Sequence, residues 1–520
     1  MKLFAAIDVG SYEIGMKIFE LSQKNGVKEI DFIRHRIDLG TDSYNTGKIS
    51  YDRMDELCNV LKGFKEIMDT YKVDAYRAYG TSAIRETQNM RIILDQIKLR
   101  SGLTILPLSN SEQRFLDYKS VALKSENFHS IINSGTAFID IGGGSTQVSL
   151  FSSSELIATV NLKLGILRIR ASLNELEPSS SNYERLLNEI IDNEIHTFKK
   201  IFLKRLDIQN IIVVDDYLPY ILQKLLKDGI SGETKENAVA GRDNSVTAGQ
   251  FVKFVDKLKE MPPEQISSEV GIPMESTSLL KPSAHIIKHL IKAMEAERIY
   301  VPGVTLSDGI AYDYAEKNKI IKSGHDFDRD IISSVDNISL RYRGEQSVSD
   351  LLSKCALAVF DGMKKYHGLD SRGRLLLDIA ARLRDVGRFI SLSAAAESAY
   401  SIIMGSEIIG ISHKEREMIA YIVTASYPGE ITYDDIGDSS NVDEKTYITV
   451  VKLTAILRLA SGMIRSYKRK YDSVKAQVKD KELLITISTD DDITLEKGLF
   501  FENAGFFEEV FGMRAYIKRV

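Results

Sequence analysis

Residues 138–147 read Phe-Ile-Asp-Ile-Gly-Gly-Gly-Ser-Thr-Gln, an apolar strand that carries Asp140 into a triple-glycine turn. Glycines at 142, 143 and 144 let the backbone turn sharply and bring several N–H groups against an anion. The hydroxyls of Ser145 and Thr146 add donors, and Asp140 at the strand end can hold Mg²⁺ through water. Residues 4–15 repeat the design: an apolar strand ends in Asp8 and turns at Gly10-Ser11. Either turn alone also reads as an ordinary hairpin. The pair points to two related half-domains clamping one phosphate group between their hairpins.

Strand patterns fill residues 2–35. Met54, Leu57, Val60, Leu61, Phe64 and Ile67 recur at helical spacing over 51–71. A strand over 74–80 runs into a helix start at Thr81 or Ser82. Ser109 sits as the N-cap of the next helix. Strand and helix alternate to about residue 315, which predicts an α/β region. Residues 346–470 then read as successive amphipathic helices, and 472–520 return to short strands.

The chain has 520 residues, enough for two to four domains. It is 43% hydrophobic and 27% charged, with a net charge of −5. No global positive field attracts a polyanion, so DNA is not an expected partner and any phosphate site must be local. Cys58 and Cys355 form neither a metal nor a disulfide framework. The first strand begins at once, leaving no room for a signal peptide. No apolar run is long enough to cross a membrane. A cytoplasmic, soluble protein is expected.

These motifs, in this order, resemble the exopolyphosphatase/guanosine pentaphosphate phosphohydrolase (Ppx/GppA) family over nearly the whole chain. The DxGSNS-type turn is Asp8-Val9-Gly10-Ser11-Tyr12-Glu13, and TSAxR is Thr81-Ser82-Ala83-Ile84-Arg85. SGxEEA is Ser109-Asn110-Ser111-Glu112-Gln113-Arg114, DIGGGSTE runs from Asp140 to Gln147, and LHDIG is Leu383-Arg384-Asp385-Val386-Gly387. The resemblance implies a duplicated actin-like ATPase (ribonuclease H-like) core of two lobes, 1–124 and 125–315. An all-α HD-like domain, 316–470, and a small α+β domain, 471–520, would follow. It implies release of terminal phosphate from polyphosphate or a guanosine polyphosphate with Mg²⁺, and a homodimer through the C-terminal domains. Phosphate would sit on Gly10, Ser11, Arg85, Gly142, Gly143, Gly144, Ser145 and Thr146, with Mg²⁺ near Asp8 and Asp140.

The departures fall on the chemistry. The family's general-base glutamate is Gln113, and an amide cannot take a proton from water. Losing that help costs about 10²–10⁴-fold. The glutamate closing DIGGGSTE is Gln147. Glutamine can still orient water, so slow turnover remains open, as does a silent protein that only binds the ligand. Glu112, one residue along the helix, and Glu13, beside the first loop, are candidate replacements. Asp215-Asp216 stand where the family has a GGT loop, and Leu306-Ser307-Asp308-Gly309 lacks the arginine of LREG. In the helical domain Arg384, Ser398, Ser426 and Ser461 stand at metal-ligand positions, so no metal is expected there. The arginines at 372, 374, 382, 384 and 388, and the basic run Arg465, Lys468, Arg469 and Lys470, could track a polyanion or be solvated helix faces.

Overall fold

The computed structural model describes residues 2–124, 128–176, 183–215, 217–231, 245–322, 325–427, 443–464, 470–471 and 473–519. Asp216, Arg465, Lys468 and Arg469 lie outside them. The chain forms two compact units, Met1–Asp326 and Phe327–Val520.

The first unit opens with an antiparallel meander of β1 (Lys2–Val9), β2 (Glu13–Ser22) and β3 (Gly26–Arg36). Helices α1 (Leu39–Thr46) and α2 (Tyr51–Tyr71) lead to β4 (Ala75–Gly80), and α3 (Ser82–Glu86) and α4 (Met90–Ser101) lead to β5 (Leu106–Pro107). The sheet order is β3-β2-β1-β4-β5, with β4 parallel to β1. Helix α1 was not anticipated. Asp38 caps its start by accepting from the Thr41 amide, and Gly47, at φ 74°, ends it.

The second lobe repeats this plan. After α5 (Asn110–Lys124) and α6 (Phe128–Asn133) come β6 (Thr136–Ile141), β7 (Thr146–Ser152) and β8 (Glu155–Leu162). Then follow α7 (Ile166–Leu176), α8 (Tyr183–Phe202), β9 (Asn210–Val214), α9 (Leu218–Ser231), β10 (Ser245–Thr247), α10 (Ala248–Leu258), α11 (Pro263–Val270), α12 (Thr277–Met294) and β11 (Arg298–Tyr300). The order β10-β11-β9-β6-β7-β8 contains the same run, three antiparallel strands and then parallel β9 beside β6. Helix α13 (Leu306–Lys317) closes the unit by packing on α5 and β1.

Strand alternation explains which residues reach the cleft. Along β1, Ala5, Ile7 and Val9 enter one apolar cluster, while Phe4 and Ala6 enter another with Leu116 of α5 and Ile310 of α13. Asp8 shares the parity of Phe4 and Ala6. Along β6, Ala137, Ile139 and Ile141 join the second lobe's core. Phe138 turns to Tyr118 of α5, and Asp140 follows it on that face. So α5 lies on the face of each sheet that these residues share, and both aspartates stand near strand ends on that face.

The second unit holds α14 (Phe327–Arg341), α15 (Gln346–Gly362), α16 (Ser371–Leu383), α17 (Ala395–Gly405), α18 (His413–Ala425) and α19 (Glu444–Met463). Strands β12 (Ser473–Lys479) and β13 (Glu482–Ser488), helix α20 (Thr494–Phe511) and β14 (Arg514–Arg519) complete it. The small sheet packs on α15, and α20 packs on α19. The α+β tail is thus part of the helical unit's fold.

Candidate functional site

The two hairpins turn at matching register. Asp8 lies opposite Gly15 in β2, and Asp140 lies opposite Gln147 in β7. In the first turn the Gly10 amide donates to the Glu13 carbonyl at 3.0 Å. In the second, the N-terminus of α7 buttresses the loop from behind. The amides of Ile166 and Leu167 donate to the carbonyls of Gly142 and Gly143 at 3.1 and 2.9 Å. Arg168 Nε donates to the Gly144 carbonyl at 2.8 Å. With three successive carbonyls turned to α7, planar trans peptides turn the amides that follow them the opposite way. That is the geometry of an anion-binding nest.

The lobes meet tightly here. A Cβ on Gly143 would lie 2.8 Å from Ser11 Cβ, and one on Gly144 would lie 2.7 Å from the Tyr44 hydroxyl. Ser11 Oγ, Tyr44 Oη and Ser82 Oγ form a triangle with sides of 2.8–2.9 Å. Burial pushes the Tyr44 phenol above its ordinary pKa, against the lowering effect of its two serine partners.

A pocket of about 100 Å³ lies between the hairpins. Asp8, Glu13 and Asp215 line it with Gly10, Ser11, Gly142 and Gly143, and among the described residues no lysine or arginine lines it. Lys17 stands 4.8 Å from the ring centre of Phe32, a wall residue, but it is paired with Asp308 and Glu29, each at 2.9 Å. Asp215 accepts from the Tyr217 and Leu218 amides at 2.7 and 2.6 Å and from Ser283 at 2.7 Å. It caps α9 with its own carboxylate. Asp308 closes a capping box with Thr305 at the start of α13.

Gln113 Nε2 donates to Asp140 Oδ2 at 3.3 Å, so Gln113 touches the second hairpin's acid. Glu112 is spent elsewhere. Its carboxylate accepts from the Ser109 amide at 3.1 Å and the Ser109 hydroxyl at 2.6 Å, a capping box readable from the Ser-x-x-Glu spacing. Gln147 is buried and accepts from Arg114 Nε at 3.0 Å. Arg114 is itself fully buried in α5, a large cation that the sequence reading passed over. Arg85 is held by the Leu108 carbonyl and the Asn110 side chain, and is not among the pocket's lining residues. The Thr146 hydroxyl donates to the Leu164 carbonyl, which takes its one proton away from any ligand. Glu13 lines the pocket 3.6 Å from Arg34. The structure therefore brings together Asp8, Gly10, Ser11, Glu13, Gly142 and Gly143, with Asp140 and Gln113 paired beside them.

The oxygen donors suit a hard cation such as Mg²⁺. Among the described residues no group of three or more His, Cys, Asp or Glu could hold a metal by itself.

In the second unit the arginines are used internally. Arg372 pairs with Glu415, Arg374 with Asp361, and Arg382 with Asp336, Asp350 and Asp378. Arg384 pairs with Asp385 at 2.9 Å and stacks 4.6 Å from the Tyr427 ring centre. Each of these four is paired with a carboxylate of its own unit.

The doubled order of strands, with an acid-headed hairpin in each lobe, defines an actin-like ATPase fold. A family model for the Ppx/GppA phosphatase family matches residues 22–318, and one for its domain III matches 332–503. The chain belongs to the Ppx/GppA phosphatase family. It is 21% identical over 488 residues to a guanosine-5'-triphosphate,3'-diphosphate pyrophosphatase of Vibrio parahaemolyticus, covering 92% of this chain and 89% of that one. The like-named protein of Vibrio atlanticus is 21% identical over 502 residues, covering 94% and 92%. An exopolyphosphatase from Cytophaga hutchinsonii shares the fold at 17% identity, with a TM-score of 0.52 over 62% of this chain and 100% of that chain. Among the described residues no helix is long and apolar enough to cross a membrane.

Proposed function

We propose that this chain is a slow phosphohydrolase that releases terminal phosphate from inorganic polyphosphate or a guanosine polyphosphate such as pppGpp. The observation that carries the reading is the pairing of Gln113 with Asp140 beside the nest of the second hairpin. The loop amides and Ser11 would hold the terminal phosphate. Asp8 and Asp140 would hold Mg²⁺, which would neutralise charge on the phosphate oxygens as the P–O bond breaks. Gln113 would orient the attacking water without taking its proton, and that missing proton transfer sets the slow rate. Because the pocket lining carries Asp8, Glu13 and Asp215 and, among the described residues, no basic side chain, a bare phosphoanhydride would be repelled. Binding should therefore require Mg²⁺ and fail in EDTA.

A second reading is a silent member that binds the same ligands as a sensor. The capping role of Glu112 favours it, because the nearest carboxylate on α5 is already engaged. Phosphate release from long-chain polyphosphate and from pppGpp, with and without Mg²⁺, separates the two. Turnover lost in Asp140→Ala supports the hydrolase. Binding without turnover supports the sensor. Neither binding nor turnover would refute both.

A further inference from the structure

We infer that Arg168, backed by the hydroxyls of Ser11, Tyr44 and Ser82, is the group that meets the ligand's phosphate charge, at the Gly144 edge of the loop. This rests on the phosphate-ligand reading above.

The argument starts from a missing charge. A phosphoanhydride end needs a donor-rich cation, and among the described residues the pocket lining supplies none. Arg85, the expected candidate, is engaged with Leu108 and Asn110. Among the described residues, Arg168 is a cation that touches the glycine loop, from its α7 side. Its Nε is fixed on the Gly144 carbonyl at 2.8 Å, and its Nη2 on Glu86 at 2.8 Å. Its guanidinium carbon lies 5.3 Å from the Tyr44 ring centre, which orients the plane. Nη1 has no hydrogen-bond partner among the described residues, and the side chain is 37% exposed. The fork is thus held by three contacts, with both N–H donors of Nη1 left over.

Position adds to this. Arg168 stands in the first turn of α7, where a positive charge opposes the helix dipole. Stability of the helix alone does not favour an arginine there. The hydroxyl triangle lies across the same glycine. Three hydroxyls carry three protons, now shared among themselves, and an arriving phosphate oxygen can draw on them. Glu86 acts as a placeholder, occupying the guanidinium until a stronger anion arrives.

The test is calorimetric titration of the full chain with inorganic tripolyphosphate and Mg²⁺. Arg168→Gln should weaken binding by about ten- to a hundredfold, the value of a charge-assisted contact. Arg168→Lys should recover part of the loss, because it restores the charge without the fork. Tyr44→Phe should weaken binding by about threefold to tenfold. Glu86→Gln should tighten it, by releasing the guanidinium. A purely structural Arg168 predicts the opposite sign for Glu86→Gln, since cutting the tie would loosen the loop. That variant keeps the proposal falsifiable even if Arg168→Gln fails to fold. Wild-type affinity in Arg168→Gln, or weaker binding in Glu86→Gln, would overturn the assignment while leaving the phosphohydrolase reading in place. A wild type that neither binds nor cleaves tripolyphosphate and pppGpp would overturn that reading and the assignment with it.

Discussion

In the first hairpin the turn after Asp8 is finished with side chains, whereas the turn after Asp140 is finished with backbone. Ser11 offers a hydroxyl that Tyr44 and Ser82 already share. Gly143, Gly144 and Ser145 offer amides, because α7 takes the carbonyls that precede them, while the Gly142 amide closes the turn on the Ser145 carbonyl. The strands beneath are the same, antiparallel partner on one side and parallel partner on the other. On the proposed function, the duplicated scaffold would present one phosphate with two kinds of donor. By the resemblance, Gln113 and Gln147 near Asp140 stand where the family has carboxylates, while the first hairpin carries Glu13 where the family's turn has serine.

If both hairpins grip one Mg²⁺-phosphate, Asp8→Ala and Asp140→Ala should each reduce phosphate release to background in a coupled phosphate assay. An unchanged rate in either would break the symmetry that the comparison assumes. Gly165→Ala attacks the second hairpin alone. Its new Cβ would fall 2.1 Å from the Gly144 carbonyl carbon, against backbone that cannot swing aside. We expect a loss of about 1–3 kcal/mol in unfolding free energy, together with weaker ligand binding. The same change at Gly63, where a Cβ meets nothing within 4 Å, should leave both unchanged.

Acid should also distinguish the lobes. His285 of α12, in the second lobe, is pushed down by burial to about 4 from an ordinary 6.5. The unfolded chain therefore takes up that proton first. The stability of the neutral imidazole is complete above about pH 6.5 and drains away as pH falls toward 4. Urea midpoints measured down this range should fall, and His285→Gln should flatten the slope. The smallest effect is expected for Gln147→Glu. Its carboxylate would meet the buried Arg114 guanidinium, now 3.0 Å from the amide oxygen, and form an ion pair with it. Phosphate release should stay within about twofold of wild type, because the new charge is neutralised where it stands. A large gain would mean that Arg114 does not hold this position.

Much of the fold was legible because it rests on local signals. Alternation in β1 and β6, the turn glycines and the Ser109 cap all act within a few residues. The paired hairpins were legible for the same reason. Tyr44, Arg114 and Arg168 were not, since each matters through partners far along the chain. Helix α1, which carries Tyr44, is short and weakly apolar, and only Asp38 and Gly47 mark its ends. The Ser109–Glu112 capping box was legible in the spacing and went unread. Arg85 kept its motif, but its side chain points to Leu108 and Asn110, and no local pattern records that choice.

The most direct test compares initial rates of phosphate release from pppGpp and polyphosphate for wild type and Gln113→Glu, with Mg²⁺. The account predicts a slow wild type and a faster variant, by about 10²–10⁴-fold if the new carboxylate recovers full general-base help. A variant no faster than wild type, while binding the ligand equally well, would contradict it and place the activating group elsewhere in the cleft.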